Sequence, residues 1–409
     1  MAHVPANTIT AVIPKILAKG LMTLRQRVLY TRLVNLDYSE EAKQKGNTID
    51  VPISSALTTS AVQAAVANAT PTDSAITTTQ ILLNDWRKVN FALTDKDMMD
   101  MRASKDFVPL QMGEAFKAMA NYINGQIAAL HTSLYGSTGT ANTTPFGAGV
   151  EVASATNARK LLNLQLADKE NRRGILDFDA EAAALNLSQF SDAEKVGSSG
   201  VKITGELGRK FGIDWYADNA VPTHTAGTLG GAAVTQTINK AGTAIALGAK
   251  TCTMTVGDTT AMALVVGDTF TFAGDTQQYV ATAVAAGAAA ADVTVNFYPG
   301  KAVAATGSEA VTGAAGTGYG DGAGTANAAV DHVANMVFHR DCFALAMRAP
   351  GEGLKEFYSN EGSFSMGDPV SGLVFRLELI RNHKMVTWEL DALFGVKCVR
   401  PELGVKILG

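Results

Sequence analysis

The chain has 409 residues, of which 47% are hydrophobic and 18% charged, and its formal net charge is −4. This composition supports packed cores in roughly two to three domains, excludes wholesale disorder, and does not favour tight electrostatic binding to nucleic acid. No apolar run approaches the ~20 residues of a membrane-spanning helix, so we expect no membrane contact. The three cysteines, Cys252, Cys342 and Cys398, are far apart and odd in number, which predicts free thiols in a reducing cytosol.

The N-terminal region predicts an arm followed by a helix. Residues 1–12 are polar, and from Pro14 to Leu36 apolar residues recur at spacings of three and four, which is typical of an amphipathic helix. Basic side chains lie on its other faces: Lys15, Lys19, Arg25, Arg27 and Arg32. We interpret them as a solvated helix face, and contact with a polyanion is the alternative.

A long segment of low charge separates two predicted strands. The alternating runs Thr48–Ile53 and Val89–Leu93 predict the strands, and Ser54–Gln80 between them has a single charged residue, Asp73. So long a loop is uncommon inside a compact domain. It is either a disordered loop or a hairpin arm that contacts a neighbouring molecule, and its low charge suits a surface that is buried on assembly.

A helix start is predicted at Thr94, where Asp97 three residues later completes a variant of the capping box. This role explains the acidic residues Asp95, Asp97 and Asp100 better than a metal site does, because acidic side chains in a first turn complement the helix dipole.

The strongest helical pattern in the chain runs from Val108 to Tyr135, with apolar residues again at spacings of three and four. Gly136 is predicted to end this helix as its C′ residue. His131 lies beside the apolar stripe, and we expect a packed or surface histidine there rather than a ligand.

The following region predicts a mixture of helices and strands. A second helix is expected to be capped by Ser154 or Thr156 and to carry the stripe Ala158, Leu161, Leu162 and Leu166. Further predicted elements are the strand Gly174–Phe178, the helix Asp179–Leu187, a helix or turn at Ile203–Phe211 and the strand Ile213–Ala217. Near the C-terminus we predict the strands Leu373–Ile380, Met385–Leu390 and Val396–Arg400, the last of them ended by Pro401.

The segment Thr223–Ala329 differs in composition from the rest of the chain. It contains nine charged residues and 17 of the 39 glycines. Its alternating runs predict the strands Val234–Asn239, Thr251–Val256, Asp268–Phe272, Gln278–Val284 and Val293–Tyr298. These suit a small closed barrel, which has no exposed edge strands, and the glycine-rich run Gly313–Gly324 is predicted to be its exit linker.

We identify no catalytic, cofactor-binding or metal-binding residues, and we therefore expect no enzyme and no cofactor. The run Gly318–Gly324 lacks the spacing of a phosphate-binding loop. His332 and His339 are seven residues apart, but no third ligand is close in sequence. Cys342 with His339 is not supported as a catalytic pair, because such partners meet in space rather than in sequence.

Four runs of this sequence, in this order, resemble a known protein family: Gly205–Pro222, Val265–Gly274, Val337–Ala346 and Leu390–Leu403. They resemble the major capsid (coat) protein of tailed bacteriophages, which has the Hong Kong 97 capsid fold. In particular, they are similar to the branch with an inserted β-barrel domain, found in short-tailed phages of the P22 type. Together with the preceding arm, loop and long helix, the resemblance covers nearly the whole chain.

The resemblance implies an α+β fold of the Hong Kong 97 type with an inserted small β-barrel domain. The implied divisions are an N-terminal arm and helix (1–36), an extended loop hairpin (37–93), a peripheral domain with a spine helix (94–160), an axial domain and β-hinge (161–222 and 330–409) and the inserted barrel (223–329).

The resemblance further implies a non-enzymatic shell subunit that forms hexamers and pentamers of an icosahedral head around double-stranded DNA. It would lie in the virion capsid after assembly in the host cytoplasm. Implied partners are further copies of itself, a scaffolding protein, a portal protein, a decoration protein and, weakly and non-specifically, the packaged DNA. Some members crosslink through a lysine in the extended loop, but Ser54–Gln80 contains no lysine, so we expect no crosslink. The alternative function is another β-rich structural protein, such as a tail component or an adhesin.

Overall fold

A computed structural model describes most of the chain. The described residues are 28–39, 47–54, 59, 76–97, 110–191, 205–227, 236–238, 245–255, 264–272, 275–284, 292–304, 309–313, 331–350, 363–368 and 372–409. The α-helices are α1 (Tyr30–Leu33), α2 (Leu110–Ala128), α3 (Ala153–Leu164), α4 (Phe178–Asn186) and α5 (Ser188–Ser191). Short 3-10 helices span Ala129–Ser133, Arg340–Cys342 and Pro401–Leu403. In this part of the chain, no helix is long and apolar enough to cross a membrane.

The described strands are numbered in chain order. The first ten are β1 (Thr48–Ser54), β2 (Ile76–Leu82), β3 (Asp85–Thr94), β4 (Gly136–Gly139), β5 (Arg172–Leu176), β6 (Gly208–Lys210), β7 (Ile213–Ala217), β8 (Thr223–His224), β9 (Gln236–Ile238) and β10 (Thr251–Thr255). The other ten are β11 (Thr269–Phe272), β12 (Gln278–Val284), β13 (Asp292–Tyr298), β14 (Glu309–Gly313), β15 (His332–His339), β16 (Phe343–Arg348), β17 (Ser363–Gly367), β18 (Val374–Asn382), β19 (Met385–Cys398) and β20 (Gly404–Leu408).

The chain divides into two compact units, and the first comprises Met1–Ala120 and Ala344–Val399. Its five-stranded sheet has the order β16-β19-β18-β17, with β3 also paired to β19, and β1 and β2 form a separate antiparallel ribbon. The alternation of strand residues places one face of the ribbon in a core with Ala344, Ala346 and Val399.

The second unit comprises Asn121–Phe343 and Arg400–Gly409 and contains two β-structures. One is a seven-stranded sheet in the order β4-β20-β15-β5-β7-β6, with β8 paired to β15. Around Trp215 of β7, edge-to-face ring contacts join Phe146 to Trp215 and to Phe190, each with ring centroids 5.5 Å apart. These aromatic pairs fix α5 and the loop before α3 within this unit.

The other structure in the second unit is a closed six-stranded barrel in the order β10-β13-β12-β11-β14-β9. Every strand therefore has two hydrogen-bonded neighbours, which leaves no edge for pairing with another chain. Its core is built on four aromatic side chains with ring centroids between 4.9 and 6.1 Å apart: Phe270, Phe272, Tyr279 and Phe297. The barrel thus has a hydrophobic core of its own.

The barrel also buries an ion pair. Lys301 Nζ lies 3.4 Å from Asp275 Oδ2 and 4.1 Å from the centroid of the Phe272 ring, and both charged side chains are almost completely buried. Burial alone would raise the pKa of Asp275, but hydrogen bonds from the Tyr279 hydroxyl and the Gln277 amide, with the Lys301 charge, lower it. Asp275 is therefore ionised, and its charge compensates that of Lys301.

Several sequence predictions are confirmed. Thr94 and Asp97 form the predicted capping box, since Asp97 N donates to Thr94 Oγ1 and Thr94 N donates to Asp97 Oδ2, each over 3.2 Å. The strand Ile213–Ala217 has the predicted bounds, and the predicted helix Asp179–Leu187 corresponds to α4. All three cysteines are free and buried.

The end of the long helix differs from its prediction. Helix α2 ends at Ala128, and Gly136 is not its C′ residue, because Gly136 begins β4 and pairs in parallel with Val405. A Cβ at Gly136 would lie 2.5 Å from Gln165 Nε2, at the end of a flexible side chain, and 3.1 Å from Val405 Cγ2.

The caps and the end of α3 were also predicted wrongly. Neither Ser154 nor Thr156 caps α3, because the helix begins at Ala153 without a side-chain cap and Ser154 Oγ instead accepts from Phe146 N. Leu166 lies beyond the helix and is 89% exposed, so it is not part of the buried stripe.

At three other places, pairing between strands overrides the local pattern. The predicted helix or turn at Ile203–Phe211 contains β6, which pairs with β7. The predicted strands Met385–Leu390 and Val396–Arg400 are one strand, β19, because its middle stays paired with β3. Strand β19 ends at Cys398, before Pro401 as predicted, but it is not the last strand, since β20 follows the 3-10 helix Pro401–Leu403. Strands β2, β4, β8, β14, β16, β17 and β20 were not predicted from the sequence.

Some predictions fall outside the described residues. These are the arm at 1–12, the first helix before Val28, the middle of the loop Ser54–Gln80 and the linker after Gly313.

The buried ion pair predicts a non-additive mutational effect. Asp275→Asn removes the carboxylate that faces the buried Lys301 ammonium group, and we expect the free energy of unfolding to fall by about 3–5 kcal/mol. Adding Lys301→Met should restore most of this loss, because no buried charge remains. Urea unfolding of the full chain, monitored by labelling of the buried Cys252 thiol, measures the free energy of unfolding of the single and the double variant. Equal stability of the single and double variants would contradict this account.

Candidate functional site at the barrel junction

A group of buried titratable side chains lies where the barrel contacts the seven-stranded sheet. On the barrel side it includes the turn at 265–269 that leads into β11. On the other side it includes residues of the 3-10 segment Ala129–Ser133 and of strands β4, β8, β15 and β20. We name this contact the barrel junction. Perturbed, buried ionisable groups concentrate at functional sites, which makes the junction the candidate site of the second unit.

Asp268 is the centre of the barrel junction. Its Oδ2 accepts a hydrogen bond from Val265 N, within the turn, over 2.8 Å. It also accepts one from the backbone N of Gly227, a residue that follows β8, over 3.1 Å. Its Oδ1 lies 2.9 Å from Nε2 of His224 on β8, and both side chains are buried. One carboxylate therefore joins the barrel turn to the chain that enters the barrel.

Three histidine rings lie side by side next to this carboxylate. His224 and His332 are direct partners on the antiparallel strands β8 and β15, with ring centroids 5.1 Å apart. His131 Nε2 lies 3.3 Å from His224 Nδ1, and His131 Nδ1 lies 3.1 Å from Ala128 O. Burial, and then the charge of Lys406, lower the pKa of His131 from 6.5 to about 3.

Lys406 on β20 provides a second buried charge at the barrel junction. Its Nζ donates to Gly267 O in the barrel turn over 2.7 Å. Burial lowers the pKa of Lys406 from 10.5 to about 8, although the nearby Asp268 carboxylate favours the charged form. The ammonium group is thus held at a cost in free energy that its backbone acceptor only partly offsets.

A set of neutral hydrogen bonds extends the barrel junction along β4. Ser137 N donates to Gln278 Oε1 over 2.8 Å, and Gln278 Nε2 donates to Ser137 O over 3.0 Å. The hydroxyls of Ser137 and Thr269 lie 3.2 Å apart. The side-chain amide of Gln278 thus bonds to both backbone polar groups of Ser137, as a neighbouring strand would. This contact fixes the position of the barrel along β4.

Gly267 allows the turn to approach the sheet closely. Its φ is +104°, and a Cβ on it would lie 2.9 Å from Thr132 Cγ2 and 3.0 Å from His224 Cε1. Glycine satisfies both the backbone conformation and the close contact.

The residues considered from the sequence lie in several places. His332 and His131 belong to the barrel junction, which confirms His131 as a packed histidine. His339 lies outside it and its Nδ1 accepts from Asp341 N over 3.2 Å, while Cys342 is fully buried. The run Gly318–Gly324 lies outside the described residues. Across the described ranges, no group of three or more His, Cys, Asp or Glu side chains is arranged to hold a metal ion.

Sequence reasoning missed His224, Asp268 and Lys406. His224 is 93 residues from His131 and 44 from Asp268, while Lys406 is 139 residues from Gly267. No spacing rule connects positions this far apart. The one local signal was Gly267-Asp268 at a strand start, which is typical of a turn but does not identify the partners.

Comparisons with known proteins give a fold but no sequence family. No protein-family model matches the chain, and no curated protein matches its sequence. A chain of Mycobacterium phage Che8 aligns with a TM-score of 0.50 at 12% identity, covering 93% of this chain and 91% of that one.

Two further solved structures match less closely. The capsid structure of the cyanophage P-SCSP1u aligns with a TM-score of 0.45 at 12% identity, covering 89% of this chain and 84% of that one. The asymmetric unit of the bacteriophage PhiM1 mature capsid aligns with a TM-score of 0.45 at 8% identity, covering 89% and 82%. At such identities the Che8 likeness shows a shared fold alone.

The close approach at Gly267 predicts a large effect of a single methyl group. Gly267→Ala should lower the free energy of unfolding of the second unit by about 2–5 kcal/mol, since backbone strain and steric overlap add. Gly248→Ala is the matched control, because Gly248 has a φ of +79° but open space around its Cβ position. We expect about 1–2 kcal/mol there. Equal losses in chemical denaturation would show that the contact with Thr132 and His224 is unimportant.

The buried Lys406 predicts a rise in stability at alkaline pH. Its pKa in the folded chain is below 10.5, so the unfolded chain binds more protons between about pH 8 and 10.5. The free energy of unfolding should therefore increase with pH across this window, by up to about 3 kcal/mol. Urea unfolding at several pH values measures this slope. Lys406→Met should remove this pH dependence, whereas Lys169→Met, at an exposed position, should retain it. An unchanged slope in Lys406→Met would show that another group causes the pH dependence.

Proposed function

We propose that this chain is the major capsid protein of a tailed bacteriophage, a structural subunit that assembles into hexamers and pentamers of an icosahedral head enclosing double-stranded DNA. The observation that carries the proposal is the fold shared with the Che8 phage structure over 93% of this chain and 91% of that one. Two subunits of the same architecture are expected to align over nearly their full lengths, as these two chains do. The four sequence runs that resemble the coat-protein family support the same function independently.

An exposed, firmly held tryptophan in the first unit supports association with further copies. Trp86 on β3 is 63% exposed, and its indole Nε1 donates to Asp391 Oδ2 over 3.0 Å. Asp391 is itself buried and receives two hydrogen bonds from Arg376, over 3.0 and 2.6 Å. Because this network fixes the ring, Trp86 would lose little conformational entropy in a contact, and tryptophan is enriched at energetically important interface positions.

The ribbon of β1 and β2 offers a second surface of this kind. Leu82 and Ile76 on β2 are exposed large apolar side chains. Both lie on the outer face, since they alternate with residues of the first unit's core such as Ile81. The region between β1 and β2 is the predicted extended loop. We propose that this hairpin is buried against a neighbouring subunit, as its low charge favours.

The domain divisions predicted from the sequence are part of this proposal. The barrel would be the inserted domain of the P22-type branch, within the limits 223–329, and the axial domain would be formed by 161–222 and 330–409. Scaffolding, portal and decoration proteins would be the partners, with weak non-specific contact between basic residues and the packaged DNA. Assembly would take place in the host cytoplasm and the subunit would remain in the virion capsid, without catalytic turnover and without a lysine crosslink in the loop.

Electron microscopy of the purified chain, with and without a co-expressed scaffolding protein, tests the proposed function. We expect closed shells of uniform size or ring-shaped capsomers. Trp86→Ala should reduce the yield of shells about tenfold or more, corresponding to the loss of over 1 kcal/mol per contact. Trp86→Phe, which keeps an aromatic ring but loses the N–H bond to Asp391, should give an intermediate yield.

Two results would overturn parts of this proposal. A chain that stays monomeric under all conditions, with or without scaffold, is not a shell subunit. If shells form equally well with Trp86→Ala, the shell function stands but Trp86 is not an assembly contact. Thermal unfolding of each variant serves as the folding control. We expect a small loss of stability, because Asp391 loses the indole hydrogen bond but keeps its two hydrogen bonds from Arg376.

A further inference from the structure

Helix α3 ends at a leucine in a position where leucine is unfavourable. Leu166 N donates to Asn163 O over 3.2 Å, and Ala167 N donates to Leu162 O over 3.0 Å. These two bonds form the Schellman arrangement of a helix C-terminus, in which Leu166 is the C′ residue. Its φ is +59°, where a side chain is strained and glycine is the usual residue. Because Leu166 is 89% exposed, packing within the subunit does not offset this strain.

Leu164 and Lys160 extend the exposed surface along α3. Leu164 is 67% exposed, and Lys160, four residues earlier, is exposed on the same side of the helix. The helix carries two basic side chains, Arg159 and Lys160, and no acidic ones. We name Lys160, Leu164 and Leu166 the leucine surface. It combines apolar area with positive charge.

A pocket of opposite charge lies elsewhere in the same unit. It has a volume of about 470 Å³ and lies between α4 and the strands β6 and β7. Phe178 and Tyr216 line it and are 57% and 37% exposed, so two aromatic side chains offer apolar area to a partner. Glu181 also lines it, and partial burial raises the pKa of this carboxyl group. We name this the aromatic pocket.

The aromatic pocket is acidic overall. Among the described residues, its lining includes the carboxylates of Glu181, Glu206 and Asp214 and the guanidinium group of Arg209. Arg209 Nε lies 3.8 Å from Asp214 Oδ1. A positive side chain that enters the pocket favours the ionised form of Glu181, which burial disfavours. The pocket therefore suits a partner that presents apolar side chains together with a basic one.

The two surfaces lie toward opposite edges of the seven-stranded sheet. Helix α3 packs on β4 and β20, and the side chain of Gln165 lies against Gly136 of β4. Strand β6, which lines the aromatic pocket, forms the other edge of the sheet. Surfaces placed in this way meet only between different copies. Each copy then uses one surface on either side, which is the head-to-tail pattern that closes into rings.

We propose that the leucine surface of one copy packs into the aromatic pocket of a second copy. Leu164 and Leu166 cover the exposed aromatic rings, and Lys160 approaches the Glu181 carboxylate. The burial of Leu166 in this contact offsets the strain of its backbone. The inference rests on the proposed function, because it names a contact by which copies associate within the rings of the shell.

Cysteine crosslinking of the full chain tests the contact directly. Asn163→Cys and Asp179→Cys each place a thiol at an exposed position beside one surface and leave both surfaces intact. The native cysteines are buried. We expect a short bismaleimide to join an equimolar mixture of the two variants into dimers and to join neither variant alone. Chains that carry both new cysteines should form a longer crosslinked series.

Leu166→Gly separates association from folding. Glycine is favoured at C′, so the thermal stability of the subunit should stay equal or rise. The crosslinked yield should nevertheless fall about tenfold, because a buried apolar contact is lost. Leu247→Gly, the same change at an exposed position of the barrel, should leave the yield unchanged.

A charge exchange tests the polar part of the contact. Lys160→Glu and Glu181→Lys should each lower the crosslinked yield. The two changes together should restore most of it, since the charges are then reversed on both sides. Lys397→Glu, at an exposed position of the first unit, is the control and should have no effect.

Three outcomes would overturn the contact: no crosslink in the mixture, equal crosslinking of each variant with itself, or an unchanged yield with Leu166→Gly. Shells that form without the crosslink would refute this contact and leave the proposed function standing. Crosslinked rings that never close into shells would support the contact and count against the proposed function. The two conclusions can therefore fail separately.

Discussion

The position of the barrel depends on how the Asp268 carboxylate is satisfied. This buried group accepts from Val265 N in its own turn, from Gly227 N after β8 and from His224 on β8. A buried charge without partners is strongly unfavourable, so the carboxylate requires all of these elements to meet. The backbone around it continues into the barrel, because Ala281 N donates to Asp268 O over 2.9 Å. The constraint therefore connects the barrel wall to the sheet.

The barrel and its junction are built by different forces. Inside the barrel, four aromatic rings and a compensated ion pair between Lys301 and Asp275 form a core that needs no outside contact. The junction instead consists mainly of polar groups, of which His131 and Lys406 have their charged forms disfavoured by burial. Hydrophobic burial varies little with pH, whereas a polar contact of this kind responds to it. The barrel can thus be stable while its docking remains adjustable.

Local patterns in the sequence predicted elements whose formation depends on local chemistry. The capping box of Thr94 and Asp97 and the bounds of β7 follow from side-chain type and alternation. The errors occur where distant pairing decides the outcome. Gly136 joins a parallel strand with Val405 instead of ending a helix, and the chain resumes pairing after Pro401.

The candidate site was less predictable than the fold, for the same reason. His131 and His332 were noticed as isolated residues, but the site exists only because β8, β15 and β20 place His224, His332 and Lys406 around one turn. Sequence spacing carries no information about such a meeting. The resemblance to coat proteins implied a fold of the kind shared with the Che8 phage structure, and it gave no indication of a buried polar cluster.

A double-mutant cycle between His224 and Asp268 tests most directly whether the charged junction holds the barrel in place. The free energies of unfolding of the full chain, His224→Gln, Asp268→Asn and the double variant give the coupling between the two side chains. Because a buried imidazole N–H group bonds to a buried carboxylate over 2.9 Å, we predict a coupling of about 2 kcal/mol or more. Additive effects of the two substitutions would contradict the account.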